Sequence, residues 1–393
     1  MTDALLPVFE RASLLFDHGE GAWLVAADGE RYLDFGAGIA VNALGYSHPH
    51  LMEVLERQAR KPWHLSNVYR IPEAERLARR LTAACFADVA FFANSGAEAN
   101  ECAIKIARRH HHAQGHPERW RIVTFQGAFH GRTLATMAAG GNRKYLDGFG
   151  PAVDGFDQCP IEDMEAVRAC IGPHTAAIMV EPVQGEGGIR PVSHAFLRRL
   201  RELCDARGLL LIFDEIQCGM GRTGYLFAHQ ESGVAPDIMS LAKGLGGGFP
   251  IGACLATRNA AFGMAPGAHG STFGGNPLAG AVANAVLDIV TDAALLAEIR
   301  RKGDVLRTRL EAMAERHPGL IVAVRGRGLM LGIKTTRAPQ DIVEALRVQA
   351  KVLTIAGGDN VTRVLPPLIV TDEDIHLFAQ RCDETFTRLE GRA

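Results

Sequence analysis

A lysine followed by glycines is the feature of this sequence best suited to covalent chemistry. Lys243 comes after the apolar stretch 238–242, and glycines occupy position 244 and positions 246–248. Burial lowers the pKa of a lysine and makes its amine nucleophilic, so Lys243 could form a Schiff base with an aldehyde cofactor. The alternative is a surface lysine in a glycine-rich loop. A nucleotide-binding loop is disfavoured because the pattern GxxxxGK[ST] is absent.

A carboxylate closes the most apolar stretch of the chain. Asp214 follows residues 209–213, which are all apolar. A carboxylate at a buried strand end needs a cationic or hydrogen-bonding partner. A protonated pyridine nitrogen would serve. An arginine, or a turn capped by the side chain, would serve equally well.

The segment 94–100 could hold a phosphate group. It follows the apolar stretch 89–92 and precedes a helical pattern. Ser95 can cap that helix, and Gly96 lets a ligand approach the backbone closely. The free amides and the positive end of the helix dipole attract phosphate. The alternative is an ordinary capped helix without a ligand.

Alternating strands and helices are predicted to position these three features. Short runs that are apolar on both faces are typical of buried parallel strands, and helical patterns such as 97–110 and 193–207 separate them. This alternation predicts an α/β fold with helices on both faces of a mainly parallel sheet. Ligands bind at the carboxyl ends of strands in such sheets. The predicted strands are 89–92, 122–125, 176–180, 209–213 and 238–242.

The character of the sequence changes after about residue 278. One long helical pattern, 278–314, precedes strand-like stretches at 321–324 and 329–333 and a helix at 340–350. The short N-terminal strands predicted at 22–25 and 31–34 cannot form a core alone. We therefore expect a large α/β domain over 51–285 and a small α+β domain over 286–393, with segment 1–50 joining the small one.

Composition narrows the range of functions. Of the 393 residues, 47% are hydrophobic and 22% are charged, so long disordered stretches are not expected. The net charge of −2, without a basic run, argues against a nucleic-acid partner. Neither a membrane span nor a signal peptide is expected. The eight scattered cysteines are typical of free thiols, so we expect a cytoplasmic protein.

Three consecutive histidines, His110, His111 and His112, raise the question of a metal site. Adjacent residues on a helix point in different directions and cannot share one ion. The run also lies near the end of a predicted helix. We therefore expect a solvated helix end and no metal.

Taken together, the phosphate-binding segment, Asp214 and Lys243 resemble, in order and spacing, the class III branch of the fold type I aminotransferases, which depend on pyridoxal phosphate. The resemblance extends over nearly the whole chain and is strongest to the branch of the family that acts on acetylornithine. Further matching stretches are 33–42, 64–69, 129–133, 181–188, 269–277 and 363–368.

The resemblance implies a pyridoxal phosphate site. In that site Lys243 binds the cofactor and later shuttles a proton, while Asp214 keeps the ring nitrogen protonated. Phe129 and Ile216 pack on the two ring faces, and Gln217 meets the ring hydroxyl. The complete expected set is Ser95, Gly96, Ala97, Phe129, Asp214, Glu215, Ile216, Gln217, Lys243 and Thr272.

The resemblance also implies a homodimer and a pair of substrates. Thr272 would reach the phosphate from the neighbouring subunit, and Ser271 would lie at the substrate entrance. Arg132 would bind the remote carboxylate of N2-acetyl-L-ornithine or of glutamate. Arg363 would bind the second carboxylate of glutamate, or of 2-oxoglutarate. Glu186 would cover Arg363 when that carboxylate is missing.

Close relatives remain as alternatives. Enzymes that prefer free ornithine have a tyrosine in the stretch matching 36–40, where this chain has Gly38 and Ile39, and Tyr46 comes too late. A small apolar wall favours an acylated nitrogen over an ammonium group. The alternatives are ornithine, succinylornithine, succinyl-diaminopimelate and 4-aminobutyrate aminotransferases, an aminomutase, and a binding protein without catalysis.

Overall fold

The computed structural model describes residues 4–391. Its strands are β1 (Phe16–Glu20), β2 (Trp23–Ala26), β3 (Arg31–Asp34), β4 (Val89–Ala93), β5 (Arg121–Phe125), β6 (Phe156–Cys159), β7 (Thr175–Val180), β8 (Val183–Gln184), β9 (Arg190–Pro191), β10 (Leu210–Asp214), β11 (Ile238–Leu241), β12 (Gly252–Ala256), β13 (Ile321–Arg327), β14 (Met330–Thr335), β15 (Val352–Leu353), β16 (Ile355–Ala356) and β17 (Val361–Val364).

The helices surround these strands. They are α1 (Ala37–Ala40), α2 (Pro49–Ala59), α3 (Pro72–Ala83), α4 (Gly96–Ala113), α5 (Leu134–Gly140), α6 (Arg143–Leu146), α7 (Met164–Cys170), α8 (His194–Arg207), α9 (His229–Ser232), α10 (Pro277–Val290), α11 (Ala293–Arg316), α12 (Pro339–Ala350) and α13 (Asp372–Glu390). Short 3₁₀ turns cover Lys243–Leu245 and Ala260–Gly263.

A seven-stranded sheet forms the centre of the protein. Its strand order is β4-β12-β11-β10-β7-β5-β6. The strands from β11 to β6 are parallel, whereas β12 runs antiparallel to β11 and to β4. The predicted mainly parallel α/β sheet is therefore confirmed. β6 and β12 were not predicted, because FDQC is polar and GACLA consists largely of small residues.

Both faces of this sheet are covered by helices, which explains why its central strands carry apolar residues on both faces. Along β7, Ala177 and Met179 belong to the core beneath α4, while Ile178 and Val180 belong to the core beneath α8. This alternation follows from the two-residue period of a strand. Each large side chain buried in this way stabilises the fold by about 1.5–3 kcal/mol.

The N-terminal strands pack against the C-terminal part of the chain. β3 pairs in parallel with β15, and β1, β2, β3 and β15 form one four-stranded sheet. Phe35 stacks on Phe378 with ring centroids 4.0 Å apart, and the indole of Trp23 donates to Asp374 at 2.9 Å. A second four-stranded sheet, β13-β14-β17-β16, is antiparallel throughout. The domain boundaries near residues 50 and 285 stay predictions.

The long helical pattern expected over 278–314 is wrong as a single helix. The chain forms α10 and α11, which are bent by 71° relative to each other. Asp292 causes the break, because its carboxylate accepts a hydrogen bond from the amide of Ala294 at 2.8 Å and caps a new helix. Within residues 4–391 no single helix is long and apolar enough to cross a membrane. Among the described helices, only the bent pair of α10 and α11, taken together, has the length and apolar composition of a membrane span.

The histidine run is also different from the expectation of a solvated helix end. His110 and His111 are buried near the C-terminus of α4, and a ring nitrogen of His111 bonds the carbonyl oxygen of Ala176 at 2.8 Å. Burial lowers the pKa of His111 to about 4, so its imidazole is neutral. These rings fill space between the helix and the edge of the sheet.

Candidate active site

The carboxyl edge of the central sheet forms a cavity of about 410 Å³. β4 contributes the segment 94–97, β10 contributes Asp214, and β11 leads to Lys243. Because β12 is antiparallel, residues 248–251 before it reach the same edge. The three features that suggested chemistry in the sequence therefore lie together.

Lys243 is half-buried and lines this cavity. Its φ is +43°, a left-handed value that a residue with a Cβ rarely adopts and that is common at functional sites. Burial, with a smaller contribution from the charge of Arg363, lowers the pKa of Lys243 to about 8. About a tenth of its amine is therefore neutral and nucleophilic at pH 7.

Asp214 lies at the end of β10 and is buried. Its Oδ2 accepts hydrogen bonds from the side-chain amide of Asn100 and from Nδ1 of His130, each at 2.8 Å, and its Oδ1 accepts from the amide of Ile216 at 3.0 Å. Burial lowers the pKa of His130, but the hydrogen bond and charge of Asp214 outweigh this effect and raise it. Asp214 is thus a hydrogen-bond acceptor held in a fixed position in the cavity lining.

A second buried carboxylate lines the cavity beside Asp214. Glu181 follows β7 and accepts hydrogen bonds from the amide of Phe129 at 2.9 Å and from that of Gly185 at 3.1 Å. Burial raises the pKa of Glu181, and the charge of Asp214 raises it further. Glu181 holds Phe129 by its backbone, so the ring of Phe129 is fixed at the cavity wall.

The N-terminus of α4 opens onto the cavity and can bind an anion. Ser95 caps the helix by accepting a hydrogen bond from the amide of Glu98 at 3.2 Å. Gly96 and Ala97 line the cavity, with their amides in the unpaired first turn. A side chain at Gly96 would meet Ile216, because an added Cβ would lie 2.8 Å from that side chain. Glycine therefore allows Ile216 to reach the cavity.

The cavity fits pyridoxal phosphate. The side-chain oxygen of Gln217 is buried and has no hydrogen-bond partner among the described residues, so it can accept from a ring hydroxyl. The α4 N-terminus suits the phosphate, Asp214 suits a ring nitrogen, and Lys243 suits the aldehyde. These donors and acceptors are the ones that the family resemblance implied for this cofactor.

A line of contacts connects the predicted substrate residues. The guanidinium of Arg132 lies 3.8 Å from the ring centroid of Tyr145, whose hydroxyl donates to Glu186 at 3.1 Å. Glu186 pairs with Nη2 of Arg363 at 2.9 Å. Arg363 is buried, and its Nε and Nη1 have no partner within residues 4–391. Two unused donors on a buried guanidinium are suited to a carboxylate ligand.

Five predicted residues do not line the cavity: Glu215, Ser271, Thr272, Arg363 and Glu186, the last of which lines a neighbouring cleft. The carboxylate of Glu215 accepts hydrogen bonds from the amides of Ala228 and His229, at 2.5 and 2.8 Å, and so is used within the protein. Ser271 accepts from the side chain of Asn94 at 3.3 Å and from the amide of Gly274 at 3.0 Å. Thr272 is exposed next to it. Within one chain, Ser271 and Thr272 remain outside the cavity.

Four residues at this site were not assigned from the sequence. Asn100, His130 and Glu181 lie inside the matching stretches. Glu181 directly follows β7, so a search for carboxylates at strand ends would have found it. Tyr145 belongs to the four-residue helix α6, and no local pattern distinguishes it. Its role as the contact between Arg132 and Glu186 depends on tertiary packing alone.

Comparisons with known proteins agree with this geometry. The family model described as aminotransferase class-III matches residues 8–386. A protein named acetylornithine aminotransferase from Mesorhizobium japonicum is 61% identical over 95% of this chain and 93% of its own.

Two solved structures are similar over almost the whole chain. N-acetylornithine aminotransferase from Stenotrophomonas maltophilia is 38% identical, with a TM-score of 0.85 over 98% of both chains. An ornithine aminotransferase from Toxoplasma gondii, which has pyridoxal phosphate at partial occupancy in its active site, is 32% identical, with a TM-score of 0.94 over 99% of this chain and 93% of its own. The chain therefore belongs to the class-III aminotransferases, enzymes whose cofactor is pyridoxal phosphate.

Proposed function

We propose that this enzyme transfers the δ-amino group of N2-acetyl-L-ornithine to 2-oxoglutarate, giving N-acetylglutamate 5-semialdehyde and glutamate, as in arginine biosynthesis. The ion pair between Glu186 and the buried Arg363 is the observation that carries the proposal. The name of the 61% identical relative supports the same substrate.

The charges explain how one site can accept two unlike amino donors. Acetylornithine has a single carboxylate, remote from the amino group that reacts, and Arg132 is the exposed guanidinium at the cavity that can bind it. Arg363 then has no carboxylate to bind, and Glu186 neutralises it. Glutamate brings a second carboxylate, which can occupy Arg363 in place of Glu186. A buried guanidinium without either partner would be costly.

Pyridoxal phosphate supplies an aldehyde carbon and an electron-accepting ring to the reacting amino group. Lys243 would hold the cofactor by its amine, and the same amine, when free, would move a proton at the reacting carbon of the substrate. Its lowered pKa, about 8, suits both accepting and donating that proton. Asp214, held by Asn100 and His130, would keep a proton on the ring nitrogen.

The remaining residues position the cofactor. Phe129 and Ile216 both line the cavity and would pack on the two faces of the ring, and Gln217 would offer its oxygen to the ring hydroxyl. Gly96 and Ala97, with Ser95 beside them, offer the first turn of α4 to the phosphate. Glu215 acts indirectly, because its carboxylate fixes residues 228–229.

Free ornithine is the second candidate donor, since the fold of an ornithine aminotransferase is also similar. In this chain Tyr46 donates its hydroxyl to Asp34 at 2.6 Å and accepts from Asn42 at 3.2 Å. That hydroxyl is therefore already used away from the cavity. The neighbouring Val41, an apolar residue, lines the cavity instead, which favours an uncharged acetamide over an ammonium group.

A half-reaction distinguishes the two donors. The purified enzyme with bound cofactor is mixed with acetylornithine or with ornithine, without any keto acid, and the loss of the cofactor's yellow absorbance is followed. Fast loss with acetylornithine and slow loss with ornithine are expected. Faster loss with ornithine would show that the enzyme prefers ornithine. If the full reaction required no keto acid, the enzyme would be an aminomutase.

The same proposal includes a homodimer in which Thr272 completes the cofactor site of the partner. Support comes from the exposed loop that carries it, where Asn67 donates to the carbonyl oxygens of Ser271 and Gly274, both at 3.0 Å. Val68, Tyr69 and Phe273 are exposed beside it, as 81%, 69% and 58% of their surfaces are accessible. Such an apolar patch suits an interface.

Light scattering should give twice the chain mass, and Thr272→Ala should retain cofactor less tightly without loss of the dimer. A monomeric enzyme with full activity would contradict this part of the proposal.

A cytoplasmic location is supported by the state of the eight cysteines, which are all free thiols.

A further inference from the structure

One carboxylate outside the cavity is surrounded by three cations. Asp359 contacts Arg325 at 2.7 Å, Lys334 at 2.8 Å and Arg190 at 3.2 Å. The hydrogen bond from Lys334, assisted by both arginines, holds the pKa of Asp359 well below its usual range. A network of this kind is stronger than an isolated surface pair, because the partners restrict one another.

The cluster joins two parts of the protein. Arg325 and Lys334 are on β13 and β14, whereas Arg190 is on β9, which pairs with β8 directly before Glu186. Asp359 itself is in the turn 356–360, which precedes β17. Asp359 and Asn360 have φ values of +56° and +54°, so the turn has a backbone conformation that needs support from outside.

This turn touches both members of the Glu186–Arg363 ion pair. The amide of Gly358 donates to the carbonyl oxygen of Glu186 at 2.7 Å. The carbonyl oxygen of Ala356 accepts from Nη2 of Arg363 at 2.8 Å, the same nitrogen that pairs with Glu186. The turn therefore fixes the backbone of Glu186 and the guanidinium of Arg363 at once.

We infer that Asp359 is a positioning residue that controls how firmly Glu186 covers Arg363, and so influences the choice between the two amino donors. It acts through Gly358 and Ala356, and the inference rests on the proposed function. If the cluster is weakened, the turn loosens and Glu186 covers Arg363 less often. Acetylornithine should then bind less well, while glutamate, which displaces Glu186 anyway, should be little affected.

The test is Asp359→Asn, which removes the charge and preserves the shape. The kcat/KM of each half-reaction is measured separately, with acetylornithine and with glutamate, at low and high salt. The ratio of kcat/KM for acetylornithine to kcat/KM for glutamate should fall about five-fold, chiefly through a higher KM for acetylornithine. Salt should lower the ratio in the wild type and have less effect in the variant. Hydrogen exchange at the amide of Gly358 should become faster.

Asp154→Asn is the matched control, because Asp154 pairs with Arg121 at 2.9 Å on a different surface. In this variant the ratio of the two kcat/KM values and the hydrogen exchange at Gly358 should equal those of the wild type. An unchanged ratio in Asp359→Asn, or an equal fall of both half-reactions, would overturn the inference. A wild type that ignores acetylornithine would instead contradict the proposed function, and the inference with it. The two failures differ, because in the first the wild type still prefers acetylornithine.

Discussion

Two groups of residues, one lining the cavity and one extending from it through Arg132, are built in different ways. The strand-end group, Gly96, Asp214 and Lys243, follows three strands of one sheet. The loop group consists of Arg132 on an exposed loop, Glu186 after the β8 strand, and Arg363 on β17 of another sheet. Ladder hydrogen bonds and burial fix the first group. The second group comes together only where separate parts of the chain pack against each other.

Because of this difference, the two groups are suited to different tasks. A rigid sheet edge suits chemistry that requires the same cofactor geometry for every substrate. A charged, partly exposed group contacting a turn suits a choice between substrates, because one carboxylate can replace another at a small cost. Changes in the strand-end group should therefore abolish the reaction, and changes in the loop group should alter which substrate reacts.

Lys243→Ala should have the largest effect. Without the amine the cofactor is not held and the proton is not moved, so kcat should fall by about 10³-fold or more in the half-reaction with acetylornithine. Lys302→Ala, in the helix α11, is the control and should retain full activity. More than a tenth of wild-type activity in a folded Lys243→Ala protein would remove this residue from the mechanism.

Asp214→Asn should have the next largest effect. The amide keeps the shape and the contacts to Asn100 and His130, but it removes the charge that stabilises a protonated ring nitrogen. We expect kcat to fall about 10²-fold while the cofactor remains bound, as measured by rapid kinetics and by absorbance. Asp372→Asn, which removes an exposed partner of Arg301, serves as control. Equal rates would mean that the ring nitrogen needs no charged partner.

Glu186→Ala should alter substrate choice rather than chemistry. Arg363 would lose its carboxylate partner, so the preference for acetylornithine over glutamate should fall about ten-fold. The measurement is kcat/KM for each half-reaction. Glu53→Ala, which removes an exposed partner of Arg57, is the matched control. If the preference is retained, Glu186 does not act as the switch and the loop group has lost its proposed role.

The smallest effect concerns pH and tests the strand-end group in the protein without cofactor. Because the pKa of Lys243 is lowered to about 8, the neutral amine should increase from about a tenth at pH 7 to about nine tenths at pH 9. The rate at which the apoenzyme captures pyridoxal phosphate should rise over this interval and then level off. A rate that still rises steeply above pH 10 would indicate an ordinary lysine.

Sequence patterns singled out the strand-end group, whose members line one cavity, because each member depends on local features. The apolar strand before Asp214 and the capping of α4 by Ser95 are set within a few residues. By contrast, β12 lacks large apolar residues and was missed, and the single helix expected over 278–314 is broken at Asp292. A helical period persists across a capped break, so periodicity alone cannot locate it.

The sequence by itself predicted the α/β fold and the strand-end residues, because these depend on short-range periodicity, capping and strand ends, and its resemblance to a family implied the cofactor. The tertiary structure decided that Glu186 meets Arg363, that Tyr145 connects Arg132 to them, and that Glu215 is directed away from the cavity. These contacts join segments that are far apart in the chain. Their formation depends on how two sheets pack, which no local pattern encodes.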